Sequence, residues 1–270
     1  MFLQEIWVPY SEENSLNNKF KEYSVQISTP DQFTLPEDKL SNPEHTWHGA
    51  AILWHDSLHS SVLNLSNTHD RFTGIRLSFP GHHILAISAY LPTSGKDDDF
   101  LYCLADLSIF IMQNGGETDT ILIGTDSNCS EKSSSRRIHG FNSFCKDHDL
   151  LKIGCSEPTF HHSNGISTSN IDCFLVSQRS STNLRNISLQ CNQENPQNLS
   201  SHDPVLGMLA VPCADSGSRQ EKYSHTYTEF SIAKVMWDED NLEKYQHAAA
   251  SVLTEFESFF PTSEYIPLKC

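Results

Sequence analysis

Asp126 and Asn128 stand two residues apart at the end of the apolar run Thr120-Ile121-Leu122-Ile123-Gly124-Thr125. In an extended chain, residues at i and i+2 share one face of the pleat, so a carboxylate and a carboxamide would meet at the mouth of a sheet. The Asp can accept a proton from water, and the uncharged Asn can hold an oxygen of the group under attack. That pair suits hydrolysis of a phosphate ester. Other polar clusters promise less. His55 and His59 have the spacing of a shared helix face, but they follow a strand-like run with no third ligand nearby, which argues against a dedicated zinc site. The eight cysteines, none within three residues of another, lack zinc and thiol-redox spacings and read as reduced, buried fillers.

The chain of 270 residues is long enough to bury a full core in one large domain. No run approaches the ~20 apolar residues of a spanning helix, so a membrane-embedded protein is excluded from the reading. Met1 to Pro9 lacks a basic segment followed by a long apolar one, so an intracellular protein is expected. A formal charge of -16 disfavours loose, charge-driven binding to nucleic acid. It leaves room for a nucleic-acid substrate, because a divalent cation in an acidic site reverses the local field.

The elements that must position the candidate residues are mostly strands. Short apolar or alternating runs at 48–54, 72–77, 83–90, 119–124, 171–176 and 204–211 read that way. Between them, 98–114 carries Phe100, Leu101, Leu104, Leu107 and Ile111 at helical spacing, closed by Gly115-Gly116, and 140–148 reads as a second helix. Strands interleaved with a few helices predict an α/β fold: two sheets packed face to face with helices outside. Residues 1–212 form the expected domain. Residues 213–230, rich in Ser, Gly and charge, read as a linker. From 231 to 270 a helical segment is expected, with Val235, Leu242, Tyr245, Ala249, Val252, Leu253, Phe256 and Phe260 on its apolar face.

Several segments, in order, carry a resemblance. Leu3-Gln4-Glu5-Ile6-Trp7, Gly49-Ala50-Ala51-Ile52-Leu53, Ala89-Tyr90-Leu91-Pro92, Gly124-Thr125-Asp126-Ser127-Asn128, Pro158-Thr159-Phe160, Ser169-Asn170-Ile171-Asp172 and Ser201-His202-Asp203 together resemble the motifs of the endonuclease/exonuclease/phosphatase superfamily. The resemblance is nearest to the endonuclease of non-LTR retrotransposon polyproteins. Each motif alone is weak; their order and their places at strand ends carry the inference. The resemblance implies a DNase I-like two-layer sandwich, and residues 231–270 are similar to the stretch joining such an endonuclease to a reverse transcriptase. It further implies a magnesium-dependent phosphodiester hydrolase acting on DNA, with manganese as a substitute ion.

Under that resemblance Glu5 would bind the metal, a hard cation that prefers carboxylate oxygen. Asp126 would take the proton from the attacking water, and Asn128 would hold the water or the phosphate in line. Asp172 would hold one ring nitrogen of His202 so that the other can donate to a phosphate oxygen, and Tyr90 would add a hydroxyl. On residue type alone, Glu5 would be a surface carboxylate, Tyr90 a packed aromatic and Asp172 a turn cap. Three departures stand against the family pattern. A Thr lies between Gly124 and Asp126, and Ser201 stands where an Asp usually precedes the His. The family's first strand, which carries a metal-binding Asn, is missing ahead of Glu5, so the chain reads as truncated, with one site group lost and an edge bared in mid-sheet. Impaired activity follows as an expectation, and two alternatives stay open: a catalytically inactive relic, or a phosphatase of the same fold acting on phospholipid head groups. No protein partner is defined. The nucleus is the compartment such a function implies, yet no targeting signal is seen, Arg136-Arg137 being too short for one.

Overall fold

The structure, a computed structural model, describes residues 1–4, 6, 22–28, 49–65, 69–117, 119–178, 190–191, 200–212 and 225–234. In chain order the elements are β1 (Phe2–Gln4), β2 (Tyr23–Ile27), β3 (Ala50–His55), β4 (Val62–Asn64), β5 (Phe72–Phe79), β6 (His82–Tyr90) and α1 (Asp97–Asn114). They continue with β7 (Thr120–Asp126), α2 (Ser135–Asp147), β8 (Leu150–Gly154), β9 (Phe160–His161), β10 (Thr168–Ser169), β11 (Asp172–Ser177), β12 (Gln190–Cys191), β13 (Val205–Pro212) and β14 (His225–Lys234). Helix α2 begins five residues before the expected 140, because the Ser134 hydroxyl accepts from the Arg137 amide and caps it there. His55 Nδ1 accepts from the Ser57 amide and caps a short 3₁₀ turn, not the helix whose face the His55/His59 spacing would share.

Two six-stranded sheets form the body. One runs β12-β13-β14-β1-β3-β2 and the other β4-β5-β6-β7-β11-β8, with β9 and β10 pairing as a separate hairpin. Alternation along β6 shows how the layers are filled. Ile84 and Ala86 enter the gap between the sheets with Phe2, Ile52, Leu122, Phe174 and Val205, while Leu85, Ile87 and Ala89 face the helices with Phe100, Leu104, Leu107 and Phe144. A smaller cluster of Leu3, Ile6, Ala51 and Leu53 covers the outer face of the first sheet. The gap is not wholly apolar. Gln4 Nε2 donates to Ser88 Oγ and to the Gly124 carbonyl, each at 3.1 Å, tying β1 to β6 and β7 across it.

The edge expected to be bare is covered. β14 pairs with β1 in parallel, Phe2 opposite Ile232 and Gln4 opposite Lys234, and with β13 in antiparallel. His225–Lys234 is thus a strand, where the sequence reading divides it between the end of the linker and the start of the helical segment. The reason lies in Thr226, Tyr227, Thr228, Phe230 and Ile232, a β-branched and aromatic run that suits a pleated surface. The rest of the expected linker and helical segment lies outside the described residues. Among the described residues, no helix is long and apolar enough to cross a membrane.

Candidate active site

Three strands of the second sheet end in one row. Tyr90 of β6 is in register with Asp126 of β7, and Asp126 with Asp172, the first residue of β11. By alternation from Ala86, Leu122 and Phe174, all three stand on the face turned to the other sheet. The fourth residue comes from the segment that leads into the other sheet: His202, three residues before β13, forms a bridge with Phe160 and lies with its ring centroid 4.5 Å from that of Phe160. His202 Nδ1 donates to Asp172 Oδ2 at 2.8 Å, and its Nε2 lies 3.9 Å from Asp126 Oδ2. Asp126, Asp172 and His202 are all at least nine-tenths buried, and one ligand atom from each falls within 4.8 Å of the others.

Asn128 reaches the same place by a different route from the one expected. β7 stops at Asp126, and Asn128 leaves the pleat with φ at +45°, a left-handed conformation that Asn tolerates. Its amide donates to Asp126 Oδ1 at 3.0 Å, and its Nδ2 donates to the Leu91 carbonyl at 2.8 Å. The two side chains are therefore neighbours through a turn rather than through strand alternation. One Nδ2 hydrogen is committed to Leu91, and among the described residues the other has no partner, so it can serve an incoming oxygen. Glu5, the expected metal ligand, lies outside the described residues.

The donor set bears on the expected metal. Carboxylate oxygens of Asp126 and Asp172 suit a hard divalent cation, whereas His202 already spends Nδ1 on Asp172 and offers a single nitrogen. The residues present fit such an ion on the carboxylate side of the group.

No family model matches the chain, and no curated protein matches it in sequence. Solved structures do. An AP endonuclease from Archaeoglobus fulgidus superposes with a TM-score of 0.53 at 16% identity, covering 76% of this chain and 86% of its own. The two share a fold, the DNase I-like two-layer sandwich. A 3′ phosphatase, NExo, from Neisseria gives 0.49 at 16% identity over 76% of this chain and 97% of its own. The endonuclease domain of TRAS1, a telomere-specific non-LTR retrotransposon, gives 0.49 at 11% identity, with coverage of 75% and 94%.

Against the superfamily pattern, the extra Thr125 displaces nothing: it sits opposite Cys173, and Asp126 keeps its register with Asp172. The Pro-Thr-Phe segment gains a physical role. Thr159 Oγ1 accepts from the amides of Ile171 and Asp172, so it anchors the backbone that presents the Asp172 carboxylate. Beside Ser201, a carboxylate does exist, but on the far side of the His: Asp203 Oδ2 accepts from His161 Nε2 at 2.7 Å. The sequence reading weighed Arg137 only as half of a short basic pair, although a structural signal was there, since it shares a helical stripe with the buried Phe141 and Phe144.

Proposed function

We propose that this chain is a metal-dependent phosphodiester hydrolase, a DNA endonuclease of the retrotransposon type. The buried group of Asp126, Asp172 and His202, set at the rim where two sheets meet, carries the reading. Superfamily motifs in family order support the choice of phosphodiester and of DNA. Asp172 fixes the His202 ring through Nδ1, which leaves Nε2 to donate a proton to a phosphate oxygen. Asp126 accepts the proton of the attacking water. Asn128 and the Tyr90 hydroxyl hold oxygens of the phosphate or of that water in line. A magnesium ion, or manganese in its stead, held by Glu5 and the carboxylates of the group, would supply positive charge against the charge that develops on the phosphate oxygens.

Supercoiled plasmid incubated with the purified chain and magnesium, manganese or chelator tests this. Nicking with either ion, abolished by chelator and cut by about 10²-fold or more in His202→Ala with the circular dichroism spectrum kept, is the expected result. No nicking under any condition would favour the inactive relic. Release of phosphate from a phosphoinositide without nicking would shift the substrate class within the same fold.

A further inference from the structure

One buried charge has no part in that chemistry. Arg137, in the first turn of α2, is 1% exposed, which is rare for a guanidinium and requires partners for its donors. It has them. Nη1 donates to the carbonyls of Pro92 and, at 3.2 Å, Asn128; Nη2 donates to the Thr93 carbonyl at 2.7 Å; and Nε donates to Asp97 Oδ1 at 3.2 Å. The plane also lies over the Phe100 ring, 4.1 Å from its centroid. Asp97 is itself held by the Ser134 hydroxyl at 2.6 Å, and Ser134 caps the helix that carries Arg137.

These partners lie on two loops. One follows β6 and contains Leu91, Pro92 and Thr93; the other follows β7 and contains Asn128. The same two loops are joined by the Asn128 side chain through the Leu91 carbonyl. Asn128 is thus tied at its main-chain oxygen by Arg137, at its amide by Asp126 and at its side chain by Leu91, all at a residue with positive φ. We propose that Arg137 is a positioning residue for the reaction, acting through Asn128: its guanidinium cross-links the loops after β6 and β7 so that the Asn128 carboxamide is aimed beside Asp126. A planar fork with five donors can join three carbonyls and a carboxylate at once, whereas an ammonium cannot match that geometry.

The inference rests on the hydrolase reading for its kinetic arm, and a second arm is independent of activity. In the first, Arg137→Lys, Asn128→Ala and the double variant are compared by single-turnover nicking. Arg137→Lys is expected to lower the saturating single-turnover rate constant by about 10- to 100-fold, the scale of a displacement near 1 Å, with the half-saturating concentration changed little. In the Asn128→Ala background the same substitution should cost less than threefold, because its effect passes through Asn128. Equal losses in both backgrounds, or no loss in the first, would overturn the proposal. In the second arm, amide hydrogen exchange is followed in wild type and Arg137→Lys. Faster exchange at Leu91 and Asn128, with β5, β6 and the remainder of α2 unchanged, supports it whether or not the wild type nicks DNA. Unchanged exchange at those two amides would refute it, and wild type that fails to nick would count against the hydrolase reading alone.

Discussion

His202 is the residue at which the site is most sharply defined. Its ring is held on one side by Asp172 and on its face by Phe160, and its Nε2 lies toward Asp126. The Asp172 carboxylate can only accept, so it fixes a hydrogen on Nδ1 and with it the orientation of the ring. Asp172→Asn keeps the size of the side chain but removes the charge that orients the ring. The nicking rate of this variant should fall by about 10²-fold or more, with little change in the urea midpoint. A variant as active as wild type would show that the ring is oriented by packing against Phe160 alone. Asn128 teaches a related point, because its place beside Asp126 depends on a left-handed turn and three hydrogen bonds rather than on strand alternation.

At the scale of elements, the site depends on β1 lying close against β7 across the gap. Gly124 allows this. A Cβ added there would meet Phe2 Cγ at 2.6 Å and Phe2 Cβ at 2.8 Å, and Phe2 is pinned against Phe174 in an edge-on contact. Gly124→Ala should therefore force the sheets apart at this point and lower stability by about 1–3 kcal/mol, read from urea unfolding. Because Gly124 also accepts from Gln4 two residues before Asp126, nicking should fall along with stability. A stable, active Gly124→Ala protein would mean that Phe2 can move without disturbing β7. β14 matters at the same scale: it gives β1 a second partner, so that neither side of this short strand is left as an unpaired ladder.

For the molecule as a whole, acidity sets a limit on stability. Burial pushes His69, His82 and His148 below the ordinary imidazole value of 6.5, with nearby aspartates opposing the shift at each. Each ring therefore holds its proton less tightly in the fold, where His82 and His148 bond to Thr120 and Ser108, than in the unfolded chain. The unfolded chain takes up protons near pH 6.5, while the folded chain resists until lower pH. In that window the unfolded state binds more protons, so stability is full above it and declines as pH falls through it. The urea midpoint should drop between pH 7.5 and pH 5.5, and His148→Gln should reduce the drop. A midpoint that rises on acidification would contradict this sign. Burial likewise lifts the thiols of Cys103 and Cys173 to about 12, which agrees with their reading as inert fillers.

Much of this was legible in the amino-acid order. Alternating apolar runs marked the cores of β3, β5, β6, β7, β11 and β13, because a period of two is a local property of a half-buried strand. Asp126 and Asn128 stood out by their own spacing at the end of an apolar run, whereas Asp172 and His202 came forward only through the family resemblance, since on residue type alone Asp172 reads as a turn cap. What no local pattern could supply was who pairs with whom. The row of Tyr90, Asp126 and Asp172, the seat of β14 between β1 and β13, and the reach of Arg137 to Pro92, Thr93 and Asn128 all join segments far apart in sequence. Such contacts are chosen by packing and by the need to satisfy buried polar groups, and these act only once the sheets have met.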